Sequence, residues 1–174
     1  ELHPGGEIRG QIRLETDTRF SARLSGANEV PAVATDGNGL FIANLSHSEN
    51  LVSFNMVFQG LSSDVTGAHI HNAPAGTNGG VIFDLGPYIF GNVILGTWDP
   101  TGFLDELRAG NLYVNVHTVN NPGGEIRGQL VLEEGLLFDA TLDGDQEFPS
   151  VETNGRGVAL VTVSPDLDSV SYYI

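Results

Sequence analysis

The sequence repeats itself with a period of 118 residues. Residues 4–11, which read PGGEIRGQ, recur letter for letter at 122–129, 118 positions later. At that offset residues 1–56 align with 119–174 without a gap, and 23 of the 56 positions are identical. Chance does not produce such an alignment, so the chain contains copies of one long repeat.

The repeat divides the chain into three parts. Residues 1–16 match the closing strand of a repeat, 17–134 form one complete repeat, and 135–174 match the opening strands of the next. This pattern indicates a piece of a longer tandem array. Neither end contains the middle of a domain, and exposed apolar strands pair readily with other chains. We therefore expect the end segments to be ordered only by strand exchange or edge pairing with other copies, which would give a polymer.

Short runs of alternating apolar and polar residues, separated by Gly, Asn, Asp and Ser, predict strands throughout the complete repeat. The predicted strands are 20–24, 40–45, 51–61, 67–71, 81–85, 92–98, 112–118 and 124–133. One short helix is predicted at 103–109, with Thr101 as its start signal and Gly110 as its C-terminal cap. About eight strands and one short helix predict an all-β fold, an antiparallel β-sandwich or barrel.

The alternation also assigns side chains to the two faces of each strand. Apolar residues of the predicted strands should line the core, among them Ile70, Val114, Val116 and Ile126. The intervening polar residues should project outward, among them His69, His71, Tyr113, Asn115 and His117. We therefore expect the histidines to lie outside the core of the sandwich.

Composition limits the classes of partner. The chain has 22 acidic and seven basic residues, all seven of them Arg, for a net charge of −15. Nucleic acids and anionic membrane surfaces need cationic patches, so neither is an expected partner. No apolar run is long enough for a membrane span. The absence of cysteine excludes disulfides, thiolate metal sites and cysteine nucleophiles.

Three histidines are placed to bind a metal ion. A His-x-His pair on a strand puts the imidazoles of His69 and His71 on one face, close enough to chelate one ion. His117 projects from another strand, so three nitrogen ligands for copper or zinc could meet if the two strands are neighbours. In the alternative interpretation, the histidines form hydrogen bonds with the 72–80 loop and with nearby polar side chains, those of Asn115 and Thr118.

The repeated motif also supplies candidate interaction residues. Glu125 and Arg127 project from one strand face, with a glycine on either side of the pair. They could form an ion pair that docks a partner, or they could bond to loops that pack over the strand. The earlier copy of the motif would provide contacts for strand exchange through Gly6, Glu7, Ile8 and Arg9.

Three motifs, in the correct order, resemble the CHRD (chordin) domain family. Residues 24–31 are similar to its opening strand and turn, and 68–85 are similar to its first half. Residues 107–118, followed by 122–129, resemble its C-terminal signature. The resemblance covers the complete repeat and both partial ones.

This resemblance implies an extracellular β-sandwich, of the immunoglobulin-like or copper/zinc superoxide dismutase-like kind. In animals the domain is part of secreted growth-factor antagonists, whose cysteine-rich binding modules are absent here. The likeness to the dismutase fold, which holds copper with a His-x-His strand, favours a metal at His69, His71 and His117. A fourth histidine and a bridging ligand have no counterpart.

Two functional hypotheses follow. The first is a non-enzymatic, extracellular or cell-surface structural module that associates with itself as tandem repeats in a filament, surface layer or matrix. It is favoured by the closely coupled repeat, by the family resemblance and by the acidic composition without lysine. In addition, no phosphate loop, nucleophile elbow or paired-carboxylate motif is present in a recognisable context. The alternative is a copper- or zinc-binding protein that uses the His-x-His pair and His117.

Overall fold

The computed structural model describes residues 6–14 and 17–173, and these form two compact units. The first unit is Asp17–Leu132. The second unit combines the described parts of 1–16 and 133–174. Each unit is described below by itself.

The described residues form fourteen strands and one short α-helix. In chain order they are β1 (Arg13–Leu14), β2 (Thr18–Ser25), β3 (Asn38–Leu45), β4 (Val52–Gln59), β5 (Val65–Asn72), β6 (Gly80–Asp84), β7 (Ile89–Phe90), β8 (Val93–Trp98), α1 (Leu104–Arg108), β9 (Leu112–Thr118), β10 (Ile126–Gln129), β11 (Val131–Leu132), β12 (Leu136–Asp143), β13 (Arg156–Val163) and β14 (Val170–Tyr173). No helix in the described part of the chain is long and apolar enough to cross a membrane.

The first unit is one continuous antiparallel sheet, which confirms the predicted all-β fold. Its strands lie in the order β6-β5-β9-β10-β2-β3-β4-β8-β7, and β11 also pairs with β2. The sheet curls over its own apolar face, because Phe54 on β4 meets Phe83 on the distant strand β6, with ring centroids 6.1 Å apart. The two layers of the predicted sandwich are therefore opposite parts of a single curled sheet.

The core of the first unit is built from the inward residues of the alternating strands. As predicted, Ile70, Val114, Val116 and Ile126 are buried, with 0–1% exposure. Burying such a side chain stabilises the fold by about 1.5–3 kcal/mol, so the period-two pattern strongly constrains which face of each strand turns inward. The three histidines project from the opposite face of β5 and β9, as predicted, although His71 is buried, with 8% exposure.

Three local features differ from the sequence-based predictions. Thr101 does not begin the helix: its N–H and hydroxyl both donate to Asp99 Oδ1, and α1 begins at Leu104. The C-terminal end was predicted correctly, since Gly110 follows the last turn with φ = 71°. The strand predicted at 124–133 is two strands, β10 and β11, and the two-residue strand β7 was missed because it is too short to show a period.

In the second unit, β12, β13 and β14 form an antiparallel meander, and β1 pairs with β12. The register is the same as in the first unit. The second unit contains the residue pairs Arg9–Asp143, Arg13–Asp139 and Leu14–Phe138. Shifting each residue by one repeat of 118 positions gives, in the same order, the pairs of the first unit: Arg127–Ser25, Val131–Ser21 and Leu132–Phe20.

The expectation that the end segments would be ordered only by other copies is therefore wrong for the described residues. Residues 6–14 carry the closing strand of one copy of the repeat and 136–143 carry the opening strand of another, so they complement each other within one chain. The pairing includes reciprocal backbone hydrogen bonds of 2.9 Å between Arg9 and Asp143.

Candidate metal centre

The three histidines lie on two neighbouring antiparallel strands, β5 and β9. The register places His69 opposite Asn115 and His71 opposite Tyr113. His117 lies two residues beyond Asn115, so all five side chains share one face of the sheet. Sequence alternation predicted this face correctly, and the pairing of β5 with β9 brings its histidines together.

The ring nitrogens are close enough to bind one ion. One nitrogen of each of His69, His71 and His117 can be chosen so that all three lie within 4.8 Å of one another. His69 Nδ1 and His117 Nε2 are 2.9 Å apart. Tetrahedral Zn–N bonds of about 2.0–2.1 Å separate two ligand nitrogens by about 3.3 Å. Side-chain movements of about 1 Å therefore complete a three-nitrogen site.

Backbone carbonyls orient two of the rings from behind. His117 Nδ1 lies 3.0 Å from the carbonyl oxygen of Pro122, and His71 Nδ1 lies 3.0 Å from that of Gly79. A carbonyl oxygen only accepts, so Nδ1 of each ring carries the hydrogen and donates it. His117 therefore presents an unprotonated Nε2 to His69, whereas the unprotonated Nε2 of His71 lies against the Asn115 amide, which a metal ion would have to displace.

His69 forms a hydrogen bond with His117. Because His117 Nε2 is an acceptor, His69 Nδ1–H donates to it. A metal ion would take the place of this hydrogen, and the ring proton of His69 would then reside on Nε2. That nitrogen lies 3.9 Å from Asp84 Oδ1, so a carboxylate is near the position of the relocated proton.

Burial keeps the other two rings neutral. It lowers the pKa of both His71 and His117, and this effect outweighs the opposing hydrogen bonds to their backbone carbonyl partners. His71 Nε2 lies 3.0 Å from Asn115 Oδ1. A neutral ring that donates through Nδ1 can only accept at Nε2, so the Asn115 amide is turned to donate its N–H.

Aromatic stacking fixes the rotamer of His71. The Tyr113 ring stacks on the imidazole with a centroid distance of 4.7 Å and an interplanar angle of 4°. The Arg127 guanidinium carbon lies 3.4 Å from the centroid of the same tyrosine ring. Sequence reasoning did not assign Tyr113 to the site, although its place on the histidine face was the available signal.

Comparison with known proteins identifies the domain that contains this site. Residues 20–130 match the family model described as CHRD domain. The chain belongs to the CHRD family. It is 24% identical over 187 residues to chordin of Danio rerio, an alignment that covers 100% of this chain and 19% of chordin. No solved structure matches the chain. The three histidines all lie within the matched CHRD residues.

Glu125, a candidate interaction residue of the CHRD domain, is fully buried. The hydroxyls of Thr35 and Thr118 each donate to one of its two carboxylate oxygens, at a distance of 2.6 Å. The N–H and the hydroxyl of Ser62 also donate to these oxygens, each at a distance of 2.8 Å. Burial by itself raises the pKa of the Glu125 carboxyl, but these hydrogen bonds outweigh it and lower the pKa to about 2. Glu125 thus connects the loops that contain Thr35 and Ser62 to the end of β9 through hydrogen bonds.

Arg127 has a similar role. It is 1% exposed, and its terminal nitrogens donate to Asn78 Oδ1 over 3.2 Å and to the carbonyl oxygen of Thr77 over 2.8 Å. These contacts match the interpretation in which Glu125 and Arg127 bond to loops packed over the strand. The loops cover both side chains, so the two residues do not form an exposed ion pair for docking.

The earlier copy of the motif lies in the second unit. Thr153 Oγ1 donates to Glu7 Oε1 over 2.6 Å, and Gly6 lies against the side chain of Glu147. Glu7 and Arg9 are exposed, whereas Gly6 and Ile8 are partly buried. Of the candidate strand-exchange residues Gly6, Glu7, Ile8 and Arg9, Arg9 is thus already paired within the chain, with Asp143.

Proposed function

We propose that this CHRD domain is a non-enzymatic extracellular module that binds a zinc or copper ion through His69, His71 and His117. The observation that supports it is the convergence of three ring nitrogens, two of them oriented by backbone carbonyls that hold their Nδ1 hydrogens. Neutral imidazoles suit zinc and copper, whereas calcium sites are built from oxygen ligands. The extracellular location rests on the family resemblance.

A bound ion would tie strand β5 to strand β9. Because the outer nitrogens of His71 and His117 bond to the carbonyls of Gly79 and Pro122, the ion would also hold the loops that carry those carbonyls. Such a role is structural: it stabilises the surface made by the two loops, without requiring a reacting group.

Metal titration tests the proposal. Protein stripped with EDTA should bind one Zn²⁺ or Cu²⁺ per chain in isothermal titration calorimetry. The double variant His69→Ala, His71→Ala should lose this binding. His47→Ala is the matched control, because His47 is exposed in the turn after β3 and should bind metal like the wild type. Equal binding by the double variant and the wild type would contradict the proposal.

We also propose that the domain associates with itself by strand complementation. The supporting observation is the shared register: the closing strand at 6–14 pairs with β12 as β10 and β11 pair with β2. A closing strand can thus complement opening strands that lie far from it in the sequence. The same pairing made between two chains would replace the pairing within a chain with equivalent contacts, so the extent of assembly would depend on protein concentration.

Light scattering tests this second candidate. Strand exchange between copies predicts a mass that rises with protein concentration. In Gly10→Val the added side chain would meet the backbone carbonyl of Thr141, displace the closing strand and reduce the mass. Gly80→Val is the matched control, because a Cβ at Gly80 meets no atom within 4 Å. A wild-type mass that stays monomeric at all concentrations would contradict self-association.

A further inference from the structure

A second candidate site lies in the first unit, on a set of side chains separate from the three histidines. A cleft of about 320 Å³ opens between the turn after β2, the 72–80 loop and strand β10. This volume is at the small end of the range of ligand pockets. The lining residues used below are Ala27, Glu29, Val30, Ala75, Arg127 and Gln129.

Two buried oxygens beside this cleft accept no hydrogen bond from the described residues: Glu29 Oε1 and Gln129 Oε1. The Gln129 amide orientation is determined, because its nitrogen donates to the carbonyl oxygens of Ala73 over 3.0 Å and of Gly110 over 2.7 Å. Its Oε1 is therefore an acceptor without a donor. Leaving a buried acceptor unsatisfied costs about 1–3 kcal/mol, so each such oxygen calls for an explanation.

Glu29 is the stronger of the two signals. The side chain is 7% exposed, and burial raises the pKa of its carboxyl to about 7, against the opposing effects of Arg127 and of the Val30 N–H. The Arg127 terminal nitrogens donate to the loop at Thr77 and Asn78. Arg127 thus attracts the carboxylate through its charge, while Glu29 Oε1 still lacks a donor.

Two acceptors without donors favour a ligand rich in N–H groups. An ammonium group offers three donors and a positive charge that would pair with Glu29. Three lining residues, Ala27, Val30 and Ala75, provide apolar walls, which suit the methylene stem of a lysine side chain. The terminal torsion of a glutamate is broad, so the carboxyl can turn to present an oxygen to the cleft.

The sequence restricts where such a lysine can come from. The chain has seven basic residues, none of them Lys, so a second copy of this chain cannot supply one. Its net charge of −15 attracts basic partners and accelerates their approach. We propose that the cleft between the turn after β2 and the 72–80 loop receives a lysine side chain from a different, basic protein.

Amide shifts in NMR spectra can test this with the full chain in EDTA, so that the histidines are free of metal. The probes are N-acetylated, C-amidated tripeptides Gly-X-Gly, where X is lysine, norleucine or arginine. The lysine peptide should shift the amides of Val30 and Ala75 and saturate at millimolar concentration, about what a ligand of this size can reach. Norleucine and arginine should bind at least about tenfold more weakly.

Two variants localise the binding. Glu29→Gln removes the charge but keeps the shape, and should weaken lysine binding about tenfold. Glu147→Gln is the matched control: Glu147 holds the equivalent position of the second unit, is only partly buried, and should bind like the wild type. If Glu29→Gln does not fold, Ala75→Trp fills the cleft from the exposed side of the loop and should abolish the same shifts.

Several results would overturn the proposal. No shift at about 10 mM peptide would mean that the cleft holds only water. Equal binding of norleucine, or tighter binding of arginine, would contradict an ammonium site. Tighter binding of 1,4-diaminobutane than of the lysine peptide would assign the cleft to a free amine instead of a protein. An equal effect of Glu29→Gln and Glu147→Gln would place the binding elsewhere.

Discussion

The two units contain the same motif in different surroundings. In the first unit Thr35 donates to Glu125 over 2.6 Å, and in the second unit Thr153 donates to Glu7 over the same distance. Glu125 is nevertheless fully buried, while Glu7 is exposed. The local hydrogen bond follows from the repeated sequence, whereas burial depends on which other strands and loops surround the motif.

The additional partners of Glu125 explain this difference. They are Ser62, in the loop after β4, and Thr118, at the end of β9. Both belong to the middle of the repeat, which has only one copy in this chain. The same middle segment carries the histidine cluster. The comparison indicates that the repeated motif at 4–11 and 122–129 forms its full set of hydrogen bonds only where the middle of the repeat packs against it.

The largest expected effect separates the two glutamates. Glu125→Ala leaves three hydroxyls and one N–H without their acceptor and should destabilise the first unit by about 4 kcal/mol. Urea unfolding followed by the fluorescence of Trp98, the one tryptophan of the chain, measures this. Glu7→Ala should lower the hydrogen-exchange protection of β12 by less than about 1 kcal/mol. If the two variants lost similar free energies of unfolding, burial would not determine how much each glutamate stabilises its unit.

Metal should stabilise only the first unit. Zn²⁺ at about 100 times its dissociation constant should add about 2.7 kcal/mol to the free energy of unfolding reported by Trp98. Hydrogen exchange in β12 and β13 should stay unchanged, since the described residues of the second unit contain no histidine. Stabilisation that persists in His69→Ala, or that extends to β13, would contradict the assigned ligands.

A glycine substitution gives a smaller contrast. Gly124 has φ = 124°, and an added Cβ would lie 2.5 Å from Glu29 Oε1 and 2.9 Å from the terminal amide of Asn115. Gly124→Ala should therefore cost about 2 kcal/mol, measured as a shift of the Trp98 unfolding midpoint.

The matched substitution is in the second unit. Gly6 has φ = 120°, and its Cβ would meet Glu147, which is only partly buried and can move away. Gly6→Ala should cost about half as much, through its backbone conformation alone. A larger loss for Gly6→Ala than for Gly124→Ala would reverse the comparison.

The smallest effect is a dependence on acid. The pKa of the Glu125 carboxyl is lowered from 4.5 to about 2, so its contribution to stability is present above about pH 4.5 and is lost as the pH falls towards 2. Between pH 4 and pH 3 the wild type should lose about 1 kcal/mol more than Glu125→Gln, which does not titrate there. Parallel pH profiles for the two proteins would contradict a lowered pKa.

The sequence alone predicted the local features of the first unit. Period-two alternation placed Ile70, Val114 and Val116 in the core and the histidines on the opposite face, because apolar burial determines which face of a strand turns inward. Gly110 was predicted to end the helix because a left-handed residue there favours glycine. The helix start predicted at Thr101 was wrong, because the N–H and the hydroxyl of Thr101 both donate to Asp99 instead. A residue type that is common at helix starts therefore does not by itself locate the start of a helix.

Only the tertiary structure decided which elements meet. The pairing of β5 with β9, the carbonyls of Gly79 and Pro122 behind the histidines, and the cleft beside Glu29 all join residues distant in the sequence. The pairing of residues 6–14 with β12 is of the same kind, and it overturned the expectation of unpaired ends. Alternation records which face of a strand is buried, but the neighbours of that strand depend on how the whole chain packs.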